Sequence, residues 1–373
     1  MDDPNVTPNG EPVPTATITS LDIHPLALPL RRPISSALGT YTDMNCVLVY
    51  VHTDDGPSGC GFTMGLGGAW SNAVATYIRD ELAPLAIGGD ALRPEALWDR
   101  LWGRNKARMR AGLGVWALSA VDIACWDIVG KVADLPVNNL LGGHRQEIPV
   151  YGSGGWHELS DEELLSECRA YAEQGISAYK YKIGTDRDRE RTAFLRKEMG
   201  DDFVLLADAN QKYNVREAIE VSRMLADYAV TWIEEPVAAD SVHDMAEVSA
   251  AGVVPVAAGE NVYFRWGFRD LCMQSAAAYL QPDVARCGGI TEFRKISTLA
   301  EAFTLNLSSH LCHELSLSLV GASPRGWMVE YTELLPADLF TNPFEVVNGS
   351  MSVPEDAGHG VDFVPEAVTR FSR

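Results

Sequence analysis

From Ile18 onward the chain carries strand-like runs, ISSALGTY, CVLVYVHT and GCGFTM, joined by turns rich in Gly, Asp and Pro. Their alternation of apolar and polar positions predicts an antiparallel meander. A helical half follows. Within it, residues 112–135, GLGVWALSAVDIACWDIVGKVADL, are apolar on nearly every face, which predicts a helix buried between layers, with Asp122 and Asp127 as cap or packing carboxylates. After Gly142 the pattern changes to short β-rich runs, each followed by a helical stretch: IPVYG, AYKYKIG, VLLADAN, VTWIEEP, VPVAAGEN, AYLQPDVA, LNLSSHL and GWMVEY. Eight successive βα units predict an α/β fold whose parallel strands close into a TIM-type barrel, with the chemistry at the C-terminal ends of the strands.

Polar residues punctuate these runs at one place each: Lys180 and Lys182, Asp208, Glu234, Glu260, Asp283, His310 and Glu330. From Asp208 on, the spacings of 26, 26, 23, 27 and 20 residues are each about one βα unit. A lone acid after a strand reads as a helix N-cap. Five acids and a histidine in phase on six strands converge on one barrel mouth, where uncompensated they repel by several kcal/mol at an effective dielectric of about 20. Cations must therefore sit among them. Asp208, Glu234 and Glu260 form an oxygen-only set that suits a hard divalent ion, Mg²⁺ first and Mn²⁺ second, whereas the absence of Cys and His there disfavours zinc. Asn210, Glu235 and Asn261 stand beside them as candidates for orienting the ligands.

Lys180 and Lys182 are two apart on a strand and face the same side. Burial, mutual repulsion and a nearby divalent ion favour the neutral amine and make one of them a base. Asp283 and His310 end adjacent strands, so the carboxylate is placed to orient and charge the imidazole as an acid/base on the other side of the mouth. Glu330 is expected to hydrogen-bond a substrate oxygen in its protonated form.

Composition narrows the partners. A formal charge of −21 over 373 residues disfavours nucleic acid and anionic membranes, so an anionic substrate requires a locally positive site. No apolar run was found to approach the roughly 18 to 20 residues of a membrane span, and the N-terminus lacks the order of a signal peptide; the expected location is cytoplasmic. Seven cysteines without a C-x-x-C pair read as reduced core thiols. Residues 1–16, polar and with four prolines, are expected to form a disordered leader.

Taken together, these motifs resemble the enolase superfamily, specifically its mandelate racemase subgroup, from about Ile18 to the end of the chain. The resemblance implies a (β/α)7β barrel at 144–345, an α+β capping domain at 17–143, and a C-terminal segment, 346–373, that returns to the cap. It implies Lys182 as the proton-abstracting base with Lys180 as its electrostatic neighbour, and Asp208 in DANQ, Glu234 in WIEEP and Glu260 in GEN as magnesium ligands. It further implies Asp283 and His310 as a dyad, Glu330 as the late-strand glutamate, and a homo-oligomer, dimer or octamer. Muconate-lactonising and dipeptide-epimerase subgroups place a lysine on the sixth barrel strand; here no lysine occurs between Lys212 and Lys295. The segment SSHLCHELSLSLVGASP is similar to mandelate racemase, while MGLGGAW and CGGIT are similar to sugar-acid dehydratases and an anhydro-aldonate cycloisomerase.

The expected chemistry is Mg-dependent removal of the α-proton of a small carboxylate through an enediolate. Family frequency favours dehydration of an acid sugar, an aldonate or aldarate, to a 2-keto-3-deoxy acid; the alternatives are a 2-hydroxy-acid racemase or epimerase and an anhydro-aldonate cycloisomerase. A protein that binds acid sugars through the metal without chemistry is the non-enzymatic reading. Substrate contacts are expected from Ile34–Thr42 and Thr63–Trp70 of the cap, with Asn210, Arg286, Tyr263 and Trp70 as candidates. A metallohydrolase would need an H-x-H after the first barrel strand, which is missing, and the glycines of TMGLGGAW do not follow the G-x-G-x-x-G pattern of nucleotide binding.

Overall fold

The computed structural model describes residues 14–336, 338–342 and 344–373. Most of the expected leader, residues 1–13, lies outside the described residues. Ala16, however, is buried and its N–H donates to Asp90, so ordered structure reaches back into the leader's last residues.

Three antiparallel strands, β1 (Ile18–Ser36), β2 (Gly39–Thr53) and β3 (Gly59–Leu66), form the expected meander. The run ISSALGTY, read as one strand, is instead a hairpin tip: Ser36 pairs with Gly39 and Ile34 with Tyr41. Alternation looks the same on both arms of a tight hairpin, so the pattern concealed the turn. The sheet divides its side chains between two cores. Cys46, Leu48, Cys60, Phe62 and Met64 face the large core shared with the barrel, while Val47, Val49 and Val51 face the cap helices.

Those helices are α1 (Trp70–Tyr77), α2 (Ala83–Ala86), α3 (Pro94–Asn105), α4 (Leu113–Ala133) and α5 (Val137–Leu140). Helix α4 lies between layers as its all-round apolarity requires, giving Ile123 and Trp126 to the barrel side and Val121 and Cys125 to the cap side. Contrary to the expectation above, its 21 residues are long and apolar enough to cross a membrane; they are spent on the interior, with 78% of the apolar window buried. Strand β3 meets α4 so closely that a Cβ at Gly61 would stand 2.1 Å from the Ala120 carbonyl oxygen and 2.6 Å from the Ala124 nitrogen. Both neighbours are backbone and cannot swing aside. Gly61→Ala is therefore expected to cost about 3 kcal/mol, read as a lower urea midpoint at unchanged m.

The second half alternates strands β4 (Glu147–Ser153), β5 (Ala178–Lys182), β6 (Val204–Asp208), β7 (Trp232–Glu234), β8 (Val256–Ala258), β9 (Tyr279–Leu280), β10 (Asn306–Leu307) and β11 (Val329–Tyr331) with helices. The helices are α6 (Asp161–Glu173), α7 (Asp188–Met199), α8 (Val215–Ala226), α9 (Val242–Ala251), α10 (Phe264–Met273), α11 (Ile290–Ala302) and α12 (His313–Ala322). Strands β4 to β10 pair in chain order, β11 pairs with β4, and a parallel bridge from Leu307 to Gly326 joins the two ends. Among the described residues no helix follows β11 directly, which makes the unit (β/α)7β. Inside, Trp232 stacks edge-on against Tyr151, Tyr279 and Trp327 at 5.1–5.4 Å and fills the barrel floor. The tail, β12 (Ser350–Ser352) and α13 (Pro365–Phe371), pairs first with β4 and then returns to β1, where the Arg373 N–H donates to the Pro25 carbonyl.

Candidate active site

Strand periodicity assembles the site. Ala178 and Leu206 belong to the inner cluster around Trp232, so residues two and four places further along the same strands also point inward. Lys180, Lys182, Asp208 and Glu234 thereby stand above an aromatic floor, and the parallel register sets Lys182 beside Asp208 and Asp208 beside Glu234. Glu260 follows β8 by two residues. Its carboxylate and those of Asp208 and Glu234, all buried, each offer an oxygen within 4.8 Å of the others.

The ligand set is held from behind. Asn210 donates its backbone N–H and its side-chain amide to Asp208 at 2.9 and 3.3 Å. Asn261 donates to both Glu260, at 3.0 Å, and Glu235, at 2.8 Å. Gln281, which the sequence reading missed, donates to Glu234 at 3.0 Å; it is two residues before Asp283, and the strand period was the signal that placed it inside. One oxygen of Glu235 lacks a partner although it is buried. An oxygen-only, carboxylate-rich, buried set with its amides already aimed at it fits a hard divalent cation.

The two lysines occupy one side. Lys180 lies 2.9 Å from Glu234 and 2.8 Å from Glu330, and Lys182 contacts Asp208 and sits over the Trp156 ring. Burial pulls both ammonium groups downward, but the carboxylates around them outweigh it and raise both above the ordinary lysine value. Without a metal, the protein's own charges thus favour the ammonium form of both. A divalent ion among the three carboxylates acts on Lys182 in the opposite direction.

Glu330 also departs from expectation. Burial pushes it up, yet Lys180 above all holds it down at about 2, and its second oxygen accepts the Leu311 N–H at 2.7 Å. It is an ionised strut between Lys180 and the His310 segment and not a protonated donor. Glu330→Gln leaves Lys180 short of a buried counter-charge and is expected to destabilise the protein by about 3 kcal/mol in urea titration.

On the far side, the His310 Nδ1 faces Asp283 at 2.8 Å and its Nε2 faces Glu260 at 3.0 Å. Burial lowers the imidazole, but Glu260 and Asp283 win and carry it to about 10, so both ring nitrogens hold protons. Arg286 lies 3.1 Å from Asp283 and over the Trp116 ring at 4.8 Å. A cavity of about 190 Å³ lies between the sides and is lined by Lys182, Asn210, Glu260, Arg286, His310 and Glu330, with Ser36, Leu38, Tyr41, Leu66 and Trp116 from the cap. Trp70 and Tyr263, expected as substrate contacts, do not line it. They pack with the cap core, and Trp70 meets Trp116 edge-on at 4.8 Å. The aromatic walls are Tyr41, Trp116 and Trp156 instead.

Residues 18–142 match the family described as mandelate racemase / muconate lactonizing enzyme, N-terminal domain, and residues 163–367 match the enolase C-terminal domain-like family. The chain belongs to the enolase superfamily. It is 34% identical to a 3,6-anhydro-alpha-L-galactonate cycloisomerase of Streptomyces coelicolor, over 91% of this chain and 94% of that protein. It is 31% identical to the L-talarate/galactarate dehydratase of Salmonella typhimurium, over 91% and 87% of the two chains. Among solved structures, a racemase from Streptomyces coelicolor with bound magnesium superposes with a TM-score of 0.92 at 32% identity, covering 95% of this chain and all of that one. This member of the superfamily is accordingly an enzyme of the lyase or isomerase type, and its buried Asp208, Glu234 and Glu260 suit a magnesium ion such as the Streptomyces coelicolor structure holds.

Proposed function

We propose that this enolase-superfamily protein removes the α-proton of a small hydroxy-carboxylate and dehydrates an acid sugar, an aldonate or aldarate, to a 2-keto-3-deoxy acid. The observation that carries the reading is the placement of an amine and an imidazolium at opposite ends of one carboxylate triad: Lys182 at Asp208 and His310 at Glu260, with the cavity between them. Asp208, Glu234 and Glu260 would hold the magnesium, which when bound stabilises the charge that builds on the substrate carboxylate as the proton leaves.

The rest is done by this chain's own groups. Lys182 takes the α-proton at its Nζ. His310 gives the proton on its Nε2 to the departing β-hydroxyl, which leaves as water; the resulting enol becomes the 2-keto acid by tautomerisation. Asp283 keeps the opposite ring nitrogen protonated and the imidazole aimed. Lys180, fixed between Glu234 and Glu330, supplies standing positive charge toward the substrate carboxylate, and Asn210 and Arg286 offer hydrogen bonds from the cavity wall. That the first step needs Lys182 unprotonated agrees with the effect of a divalent ion on the amine.

A second reading has its own support. The 34% identity to a cycloisomerase favours an anhydro-aldonate substrate, on which Lys182 as base and His310 as acid would open the ring ether without loss of water. Incubating the magnesium-loaded protein in D₂O with libraries of mono- and diacid sugars and anhydro-aldonates separates the cases. A 2-keto acid formed from a linear acid sugar identifies the dehydratase, turnover of an anhydro substrate alone identifies the cycloisomerase, and deuterium at Cα without a keto product identifies the racemase. No exchange and no consumption of any acid would leave only acid-sugar binding and end the catalytic reading. The homo-oligomer implied by the resemblance and a cytoplasmic location belong to the same reading; sedimentation should give a mass above the 40.6 kDa of one chain.

A further inference from the structure

The loop that carries Asp283 is gripped from the cap side, at six points. Thr63 Oγ1 donates to the Ala285 carbonyl at 2.8 Å, and the Trp116 ring lies under Arg286. The Gly288 N–H donates to Ser119 Oγ at 3.0 Å while Trp98 Nε1 donates to the Gly288 carbonyl at 3.0 Å. The Thr291 N–H donates to Asp122 at 2.9 Å, and Trp126 Nε1 donates to the Thr291 hydroxyl at 2.9 Å. The approach leaves no slack: Gly289 has φ +83° and a Cβ there would lie 2.3 Å from the Asp122 carboxylate.

The same loop ends on the chemistry. Asp283 accepts the Ala285 N–H at 2.8 Å, pairs with Arg286 and receives the His310 Nδ1 proton. Hydrogen bonds therefore run from the cap through Ala285 to Asp283 and the imidazole, and the Arg286 ion pair, seated on the Trp116 ring, runs beside them. The other side of the mouth is built differently. Among the described residues, no hydrogen bond from the cap reaches the loops that follow Lys182, Asp208 and Glu234.

We infer that the cap sets the imidazole of His310, with Thr63, Ser119 and Asp122 acting as positioning residues that hold the 283–291 loop. On the base side the cap's hydrogen bonds stop at the loop after β4, where Ser35 meets His157 and Glu158, whereas on the acid side they reach the loop of Asp283 itself. Burial raises the Asp122 carboxyl to about 7 against the two bonds it receives from Thr291, so the carboxylate is kept there at a cost. An amide oxygen at the same place accepts the Thr291 N–H equally well. Asp122→Asn is thus the conservative variant, and Asp122→Ala is the disruptive one.

The catalytic consequence rests on the proposed acid role of His310; the orientation itself does not. The test uses the full-length, magnesium-loaded protein carrying Thr63→Val, Ser119→Ala, Asp122→Ala or Asp122→Asn. The first readout is the NMR signal of the His310 Nδ1 proton, identified by its loss in His310→Gln. It should shift and exchange with water about tenfold faster in the first three variants and keep its wild-type position in Asp122→Asn. The second readout is kinetic: the His310-dependent step should fall about tenfold or more, as expected for a displaced catalytic group, while α-proton exchange at Lys182 stays within about twofold. Wild-type His310 signals and turnover in folded Thr63→Val and Ser119→Ala would overturn the inference, even if Asp122→Ala fails to fold. Failure of the wild type to turn over any acid would sink the proposed function, yet the NMR readout would still decide whether the cap orients His310.

Discussion

Lys182→Ala should lose α-proton exchange by about a thousandfold or more, within the range a general base contributes, with kcat falling and substrate binding largely kept. The reason is positional as much as chemical. Lys182 is a buried amine that touches a carboxylate of the triad and faces the cavity, whereas Lys180 is held between Glu234 and Glu330 and cannot take over its role. His310→Gln should abolish dehydration to a similar extent but leave exchange on the Lys182 side, because only the second proton transfer is removed. The pH profile follows from the same two groups. Activity should rise as Lys182 loses its proton and fall as His310 loses the proton it must give. With Mg²⁺ on Glu260 the main cause of the raised imidazole is weakened, so the alkaline limb should lie below the value of about 10 set by the protein's charges alone. Stopped exchange measurements in D₂O across pH check both limbs; retention of more than about a tenth of wild-type exchange by Lys182→Ala would remove this lysine from the base role.

Removal of the metal is the second large effect. Chelation should abolish turnover and lower the melting temperature, and magnesium at about a hundred times its dissociation constant should return roughly 2.7 kcal/mol. Glu234→Gln tests the assignment with opposite signs in the two states. In the protein without metal, burial raises Glu234 to about 7, with Lys180 opposing and Asp208 adding to the rise. A carboxyl whose folded value is raised contributes stability that is present below its unfolded value of about 4.3 and is lost as pH rises through the folded value. At pH 8 the neutral amide escapes that loss, so the chelated variant should melt at or above the chelated wild type. With magnesium present the order should reverse, because the variant lacks one charged ligand, and activity should be lost. Calorimetry with and without chelator measures both; an equal magnesium-dependent rise in the two proteins would show that Glu234 holds no metal.

Much of this site was legible before the fold was known. Eight runs at regular spacing announced the barrel, and acids at the run ends announced a cation, because both follow from local periodicity and from charge that must be compensated. The errors share a different origin. Protonation of Glu330 depends on which charges face it across the barrel, Lys180 above all, and distance along the chain does not encode that. Loop position suggests Trp70 and Tyr263 for the site, whereas packing takes both into the cap core and leaves Trp116 on the cavity. The membrane-length apolarity of α4 was underestimated for a related reason: Asp122 and Asp127 interrupt the run on paper but are used in the fold, where they accept backbone N–H groups from Thr291, Cys60 and His359.

By itself, then, the order of residues determined the architecture class, the metal-binding chemistry and the two groups proposed to move protons. Each of these is carried by residue type and by periods of two, of 3.6 and of one βα unit, which a linear chain displays openly. Tertiary structure alone decided which charges face each other, which aromatic rings line the cavity, and that the cap holds the loop behind His310. Those are consequences of distances between segments far apart in the chain, and electrostatic and packing energies depend on such distances in space.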